Sequence, residues 1–190
     1  MASKRDWLEE GLRILSEDGA PALTIERLST RLGLTKGSFY HHFKGMAGFR
    51  TDLLAHYEDE HTNRYIADAE RAGEAAGAKV GRLLELVLED KAASDGLEIA
   101  MRAWALQDAE ARALQERVDR VRVDYLESLV RGLAPAERDP GPAARLLYLL
   151  WVGAQQLVPP MPAEELREIY LLALRSVERD EGSRRRGRSS

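Results

Sequence analysis

Apolar residues recur every three or four positions along nearly the whole chain, and glycine and proline interrupt them at intervals that suit helix ends. Trp7, Leu8, Leu12 and Leu15, with Gly11 and Ile14, predict one face of a helix from residue 4 to about 18. Ser3 with Asp6 three residues on resembles a capping box, and Gly19-Ala20-Pro21 stops the helix. Thr24 is placed to cap a second helix that turns Ile25, Leu28 and Leu32 inward, and Gly33 ends it. Thr35 then caps a third helix, Lys36 to Phe43, with Phe39 and Phe43 four apart on one side. Two short helices joined by three or four residues with a glycine at the bend form the helix-turn-helix pattern.

Beyond this, the periodicity predicts a long helix from about Ala47 to Ala72, with Phe49, Leu53, Tyr57, His61 and Tyr65 in one four-residue row. Val80, Leu83, Leu84, Val87 and Leu88 mark the next, ending near Ala93. Asp95 with Glu98 resembles a capping box for a helix from Leu97 to Gln107, followed by Ala109 to Gly132. Ala143 to Val158 is nearly all apolar, and the last helix runs from Pro162 to about Arg179. No strand and no internal repeat is predicted. The expectation is an all-α fold of about nine helices. It divides into a helix-turn-helix domain at 1–46, a helical domain at 47–180 and a disordered basic tail at 181–190.

Charge sharpens the picture of the first fifty residues. Of the 190 residues 44% are hydrophobic and 32% charged, ordinary for a globular protein, and the net charge is −4. Residues 1–50 nevertheless carry 8 basic and 6 acidic groups, against 16 basic and 26 acidic over 51–183. Between residues 27 and 50 stand Arg27, Arg31, Lys36, Lys44 and Arg50 and no acid, a patch that attracts phosphate on an otherwise acidic chain. Four more arginines lie in the tail 184–190. The chain has no cysteine, which excludes disulfides and thiolate metal sites. The opening MASKRDWLEE lacks the apolar stretch of a signal peptide, and the run Leu146 to Ala154 is far short of the ~20 residues that span a bilayer. A soluble, cytoplasmic protein with no membrane association is expected.

The third helix, within TKGSFYHHFK, combines small, hydroxyl-bearing, aromatic and cationic side chains. The Thr35, Ser38 and Tyr40 hydroxyls and Lys44 suit phosphate oxygens, Lys36 suits a guanine edge, and His41 suits a base or a phosphate. Gly37 inside a helix costs about 1 kcal/mol relative to alanine, and close approach to a DNA groove would compensate. The competing arrangement packs Tyr40 and the two histidines against the first helix; Phe39 and Phe43 are read as core.

The segment LTIERLSTRLGLTKGSFYHHFKG resembles the DNA-binding signature of TetR-type transcriptional regulators. That signature has a Leu-Thr pair opening the second helix, a glycine closing it and a Lys-Gly-Ser/Thr-x-Tyr-x-x-Phe recognition helix. The likeness covers about residues 5–54. It implies that Thr24, Thr35, Lys36, Gly37, Ser38, Tyr40, His41 and His42 face DNA. It also implies a homodimer on an operator and a small-molecule effector that releases a repressor. The chain departs from the pattern at Met46, where such proteins usually carry a phosphate-holding lysine; Lys44 or Arg50 are the candidates to substitute.

An effector pocket in the remaining helices would draw on Tyr57, His61, Tyr65, Met101, Trp104, Tyr125, Tyr148 and Trp151, although aromatic residues at helical spacing are more often core. No phosphate loop or dinucleotide fingerprint is present. His56 and His61 stand about 140° apart around a helix, unsuited to a metal pair. Neither an enzyme, a cofactor nor a metal is expected. The alternative reading is a helical ligand- or protein-binding module whose helix-turn-helix is degenerate, with Met46 as its support.

Overall fold

A computed structural model describes residues 2–93, 96–134, 139–159 and 161–186, and every regular element among them is helical. The helices are α1 (Lys4–Asp18), α2 (Ile25–Leu32), α3 (Lys36–His42), α4 (Met46–Glu58), α5 (Arg64–Glu70), α6 (Ala76–Ala93), α7 (Leu97–Ala105), α8 (Ala109–Leu133), α9 (Gly141–Gln155) and α10 (Ala163–Arg186). No helix among the described residues is long and apolar enough to cross a membrane.

Local chemistry sets the first boundaries. Ser3 and Asp6 form the reciprocal capping box at the head of α1. The Thr24 and Thr35 side chains accept the backbone N–H groups of Arg27 and Ser38, capping α2 and α3. Gly33 closes α2 in the left-handed conformation, at φ +65°, that glycine adopts without penalty.

By contact the chain forms two compact units, Met1–Asn63 with Ser94–Val118, and Arg64–Ala93 with Asp119–Ser190. The first is built on Trp7, Leu12, Ile14, Leu15, Leu28, Phe39, Phe43, Phe49, Leu53 and Tyr57, joined by Leu97, Met101, Trp104 and Leu114. Phe39 is its hub. Its ring lies 5.5 Å edge-on to Trp7, 5.0 Å from Phe43 and 5.7 Å from Phe49, the separations at which aromatic pairs attract. Gly11 lets α1 and α4 approach, since a Cβ there would come within 2.7 Å of the Phe49 ring.

In the second unit, Leu84 and Leu88 of α6 pack with Ala154 of α9 and Leu166 of α10. Val130 of α8 packs with Ala144, Leu147 and Ala173. Arg167 grips Glu85 with two hydrogen bonds of 2.5 and 2.9 Å, tying α10 to α6.

Four boundaries differ from the sequence reading. The long helix expected over 47–72 is interrupted by a π-helical turn, Asp59–Asn63, which buries Thr62. Strict four-residue spacing drifts about 40° per step on an α-helix, so the row from Phe49 to Tyr65 cannot hold one face without such a wider turn. At the head of α7 the N-cap is Gly96 at φ +92°, and Asp95 lies outside the described residues. The buried Glu98 bonds Tyr57 and Arg102 rather than closing a capping box. Helix α9 stops at Gln155, ahead of Pro159. Helix α10 runs on to Arg186, through most of the segment expected as a disordered tail, because its glutamates and arginines are good helix formers. Residues 187–190 of that tail lie outside the described residues.

Candidate nucleic-acid interface

Helix α3 is short, and its two faces follow from the 100° step per residue. Phe39 and Phe43 are buried and define the inner side. Gly37 and His41 then fall almost opposite, with Tyr40 and Ser38 on the flanks. Accordingly Tyr40, His41, Gly37 and Lys36 are exposed, and Tyr40 shows 60% of its surface, unusual for an aromatic residue. Tyr40 still rests edge-on against Phe39 at 5.6 Å, which steadies its exposed ring. Packing against α1, the competing arrangement, is not where Tyr40 or His41 goes.

His42 departs from its expected place. It stands about 60–100° from the buried pair, half-buried, and its Nε2 lies 3.1 Å from the carbonyl oxygen of Ala2. One of its two ring nitrogens is thus engaged by the segment ahead of α1. The histidine on the open surface is His41, 5.1 Å from the His42 ring.

Thr24 and Thr35 are exposed and cap their helices through oxygen lone pairs, which leaves each hydroxyl proton available to a phosphate oxygen. Gly37 has room: an added Cβ would meet only Thr35 Oγ1, at 3.6 Å. Nothing inside the protein therefore requires glycine at that position.

The basic patch is smaller than the sequence suggests. Arg27 is paired with Asp18, and Arg31 is paired with both Glu17 and Glu10. These acids come from α1, outside the acid-free stretch, so a count along the chain does not see them. Arg31 holds the Glu17 carboxyl below the usual carboxylate range by hydrogen bonding, and Glu17 and Glu10 hold the Arg31 guanidinium above its ordinary value. Lys4 pairs with Asp52 at 2.8 Å. The cations left around α3 are the exposed Lys36 and Lys44, with Arg50 partly covered and its Nε without a hydrogen-bond partner.

Met46 is the first residue of α4 and packs against the aromatic core, which explains an apolar residue there. The cap before it, Gly45, offers no side chain, so the first amides of α4 have no capping bond.

Of the residues suggested for an effector pocket, Tyr57, His61, Met101 and Trp104 belong to the first unit, and Tyr65, Tyr125, Tyr148 and Trp151 to the second. Met101 and Trp104 are buried in the aromatic core. Tyr57 is buried, bonds Glu98 and stacks on His61 at 5.3 Å. Tyr65 is buried with Arg64 over its ring, and Trp151 packs beside Ala154 and Leu166. Tyr125 donates to Glu70 and Tyr148 to Asp119, at 2.9 and 2.6 Å. Each of these eight residues has a packing or hydrogen-bonding role of its own.

Comparison with known proteins agrees with this surface. Residues 8–52 match the family model described as bacterial regulatory proteins, tetR family. No curated protein matches the chain. Among solved structures, E. coli NemR in its reduced form is 19% identical, with a TM-score of 0.74 over 93% of this chain and 96% of that one. A TetR-family transcriptional regulator from Streptomyces coelicolor is 20% identical, with a TM-score of 0.74 over 94% and 90%. A transcriptional regulator from Rhodococcus sp. Rha1 is 16% identical, with a TM-score of 0.73 over 94% and 97%. At these identities the likeness is one of fold.

Proposed function

We propose that this chain carries a DNA-binding domain of the TetR type and acts as a dimeric cytoplasmic repressor released from its operator by a small-molecule effector. The observation that carries the reading is the exposed set of Lys36, Gly37, Tyr40 and His41 on a helix anchored by Phe39 and Phe43, with the exposed Lys44 just beyond its end. Thr24, Thr35 and Ser38 add hydroxyls for phosphate, and Lys36 and His41 are the candidates for base edges. His42 acts through its bond to Ala2 and not by touching DNA.

A single copy reading one half-site binds weakly, and two-fold pairing is the general solution. The surface of α9 and α10 supports such pairing. Leu146, Leu149, Leu171 and Leu172 are exposed there, with Arg145 and Arg175 of one sign and Glu164, Glu165 and Glu168 of the other. An apolar strip bordered by both charges is self-complementary, as a two-fold interface must be. In this reading residues 1–46 bind DNA, residues 47–180 bind the effector and the second copy, and the arginines of 181–190 add non-specific attraction for phosphate.

The test is selection of duplexes from a random-sequence library by the full-length protein, alongside the DNA upstream of its own coding region. An enriched, partly palindromic site is expected. Equal affinity for all duplexes at moderate salt would favour the binding module with a degenerate helix-turn-helix. A thermal-shift screen of apolar compounds tests the effector, since a ligand of the native state raises its stability.

A further inference from the structure

Glu10 is 5% exposed, yet its helical neighbours Trp7, Gly11 and Ile14 form the apolar face of α1. A carboxylate in that place is costly to bury, and an apolar residue of similar size would serve stability as well or better. Glu10 is instead paired with two arginines: Arg13 on its own helix, which donates to Oε2, and Arg31 of α2, whose Nε lies 2.5 Å from Oε1 as an ion pair without hydrogen-bond geometry. Arg31 also pairs with Glu17 through both of its terminal nitrogens. Glu10 and Glu17 are seven residues apart on α1, about 10 Å along its axis. One planar guanidinium thus bridges two fixed points on α1, a restraint on both the slide and the rotation of α2. Arg27 with Asp18 adds a third point on the same side. Leu28 is buried in the core under α2, and the ion pairs add a preferred register of α2 along α1. Helix α3 begins only four residues after α2 ends, so the setting of α2 becomes the setting of the recognition helix.

We propose that Glu10 and Arg31 are positioning residues for sequence-specific DNA binding: their bridge fixes the angle at which α3 is presented and is retained for that geometry rather than for stability. The proposal rests on the DNA-binding reading above, and it assigns Arg31 to the protein and not to phosphate.

The test uses full-length protein and two probes, the duplex that the wild type enriches from a random library and a scrambled duplex of the same composition. The double variant Glu10→Met/Arg31→Met is expected to melt within a few degrees of the wild type, bind the scrambled duplex within about twofold, and lose at least about tenfold in affinity for the enriched one. Unchanged affinity for both probes would make the bridge merely structural and overturn the proposal. Equal loss on both probes with a shallower salt dependence would make Arg31 a phosphate contact, and would overturn it also. Should the double variant not fold, Arg31→Lys keeps the charge but cannot bridge both carboxylates. It is expected to lower the ratio of enriched to scrambled affinity severalfold, and an unchanged ratio overturns the proposal. If the wild type enriches no duplex, the DNA-binding reading itself fails and the positioning role falls with it; a loss confined to the variants separates the two failures.

Discussion

The phenol of Tyr57 on α4 donates a 2.7 Å hydrogen bond to Oε2 of Glu98 on α7, inside the aromatic core of the first unit. Arg102 holds the other oxygen of the same carboxylate at 2.9 Å. A charge this well covered depends on its donors, because an unmet buried acceptor costs about 1–3 kcal/mol. Tyr57→Phe should therefore lower unfolding stability by about that amount, read as a shift of the urea midpoint. An unshifted midpoint would mean that water replaces the phenol without loss.

Tyr40 and Lys44 are exposed, and apart from the edge contact of Tyr40 with Phe39 neither is paired in a hydrogen bond or ion pair among the described residues. Tyr40→Ala/Lys44→Ala should leave the melting temperature nearly unchanged and weaken DNA binding by an order of magnitude or more. Each phosphate contact removed should flatten the slope of log affinity against log salt by about 0.9. Titrations at several salt concentrations measure both. Identical curves for variant and wild type would remove these residues from the interface.

Two glycines inside helices give opposite expectations. A Cβ at Gly37 is free of clashes, so Gly37→Ala should stabilise the protein by up to about 1 kcal/mol while weakening DNA binding, if close groove approach is why glycine stands there. A Cβ at Gly11 would strike Phe49 at 2.7 Å and Leu53 at 3.0 Å, so Gly11→Ala should destabilise by about 1–3 kcal/mol. Thermal melts with parallel DNA titrations check both. Undiminished DNA affinity in Gly37→Ala would remove the groove argument.

These contrasts mark what the sequence made legible. The caps at Ser3, Thr24 and Thr35 and the inward Phe39 and Phe43 could be read in advance because caps and helical period are local. The true size of the basic patch could not, because Arg27 and Arg31 meet acids supplied by another helix. A signal was nevertheless present: Glu10 sits on the apolar face of α1, and a carboxylate there calls for a cation from outside it. The contact of His42 with Ala2 is not legible either, because the resemblance assigns a position to a surface and says nothing of the residues ahead of α1 that meet the ring. The π turn at 59–63 leaves no clear local mark, since it accommodates a drift of the buried face over several turns.

The His56 imidazole is pushed below its ordinary value, chiefly by burial, with Arg5 and His61 adding to the effect and Glu60 and Glu9 opposing it. A histidine whose folded value lies below its unfolded one binds its proton more readily unfolded. Its neutral form thus supports the fold fully above about pH 6.5, and that support is lost as pH falls from there through the lower folded value. His56→Gln should reduce the decline of melting temperature in this window. At more acid pH a separate decline follows, because Arg167 holds the Glu85 carboxyl below its ordinary value. That pair's support is present above the ordinary glutamate range and fades as Glu85 is protonated; Glu85→Gln should flatten the acid limb alone. Identical pH profiles for both variants and wild type would refute these assignments.

Leu149 exposes 64% of its surface and Leu172 57%, one on α9 and one on α10. Gly153 follows Leu149 by four residues, in the last turn of α9, and an added Cβ there would meet nothing within 4 Å. An exposed helical glycine with empty space beside it leaves room for a partner helix to come close. Leu149→Glu/Leu172→Glu should place charges directly in the proposed two-fold interface while disturbing little of the single chain. Sedimentation should then show monomers where the wild type shows dimers, with melting temperature dependent on concentration only in the wild type. Affinity for a palindromic duplex should fall far more than affinity for one half-site, because what is lost is the coupling of two recognition helices and not either helix itself. Dimers that persist in the variant would move the interface elsewhere.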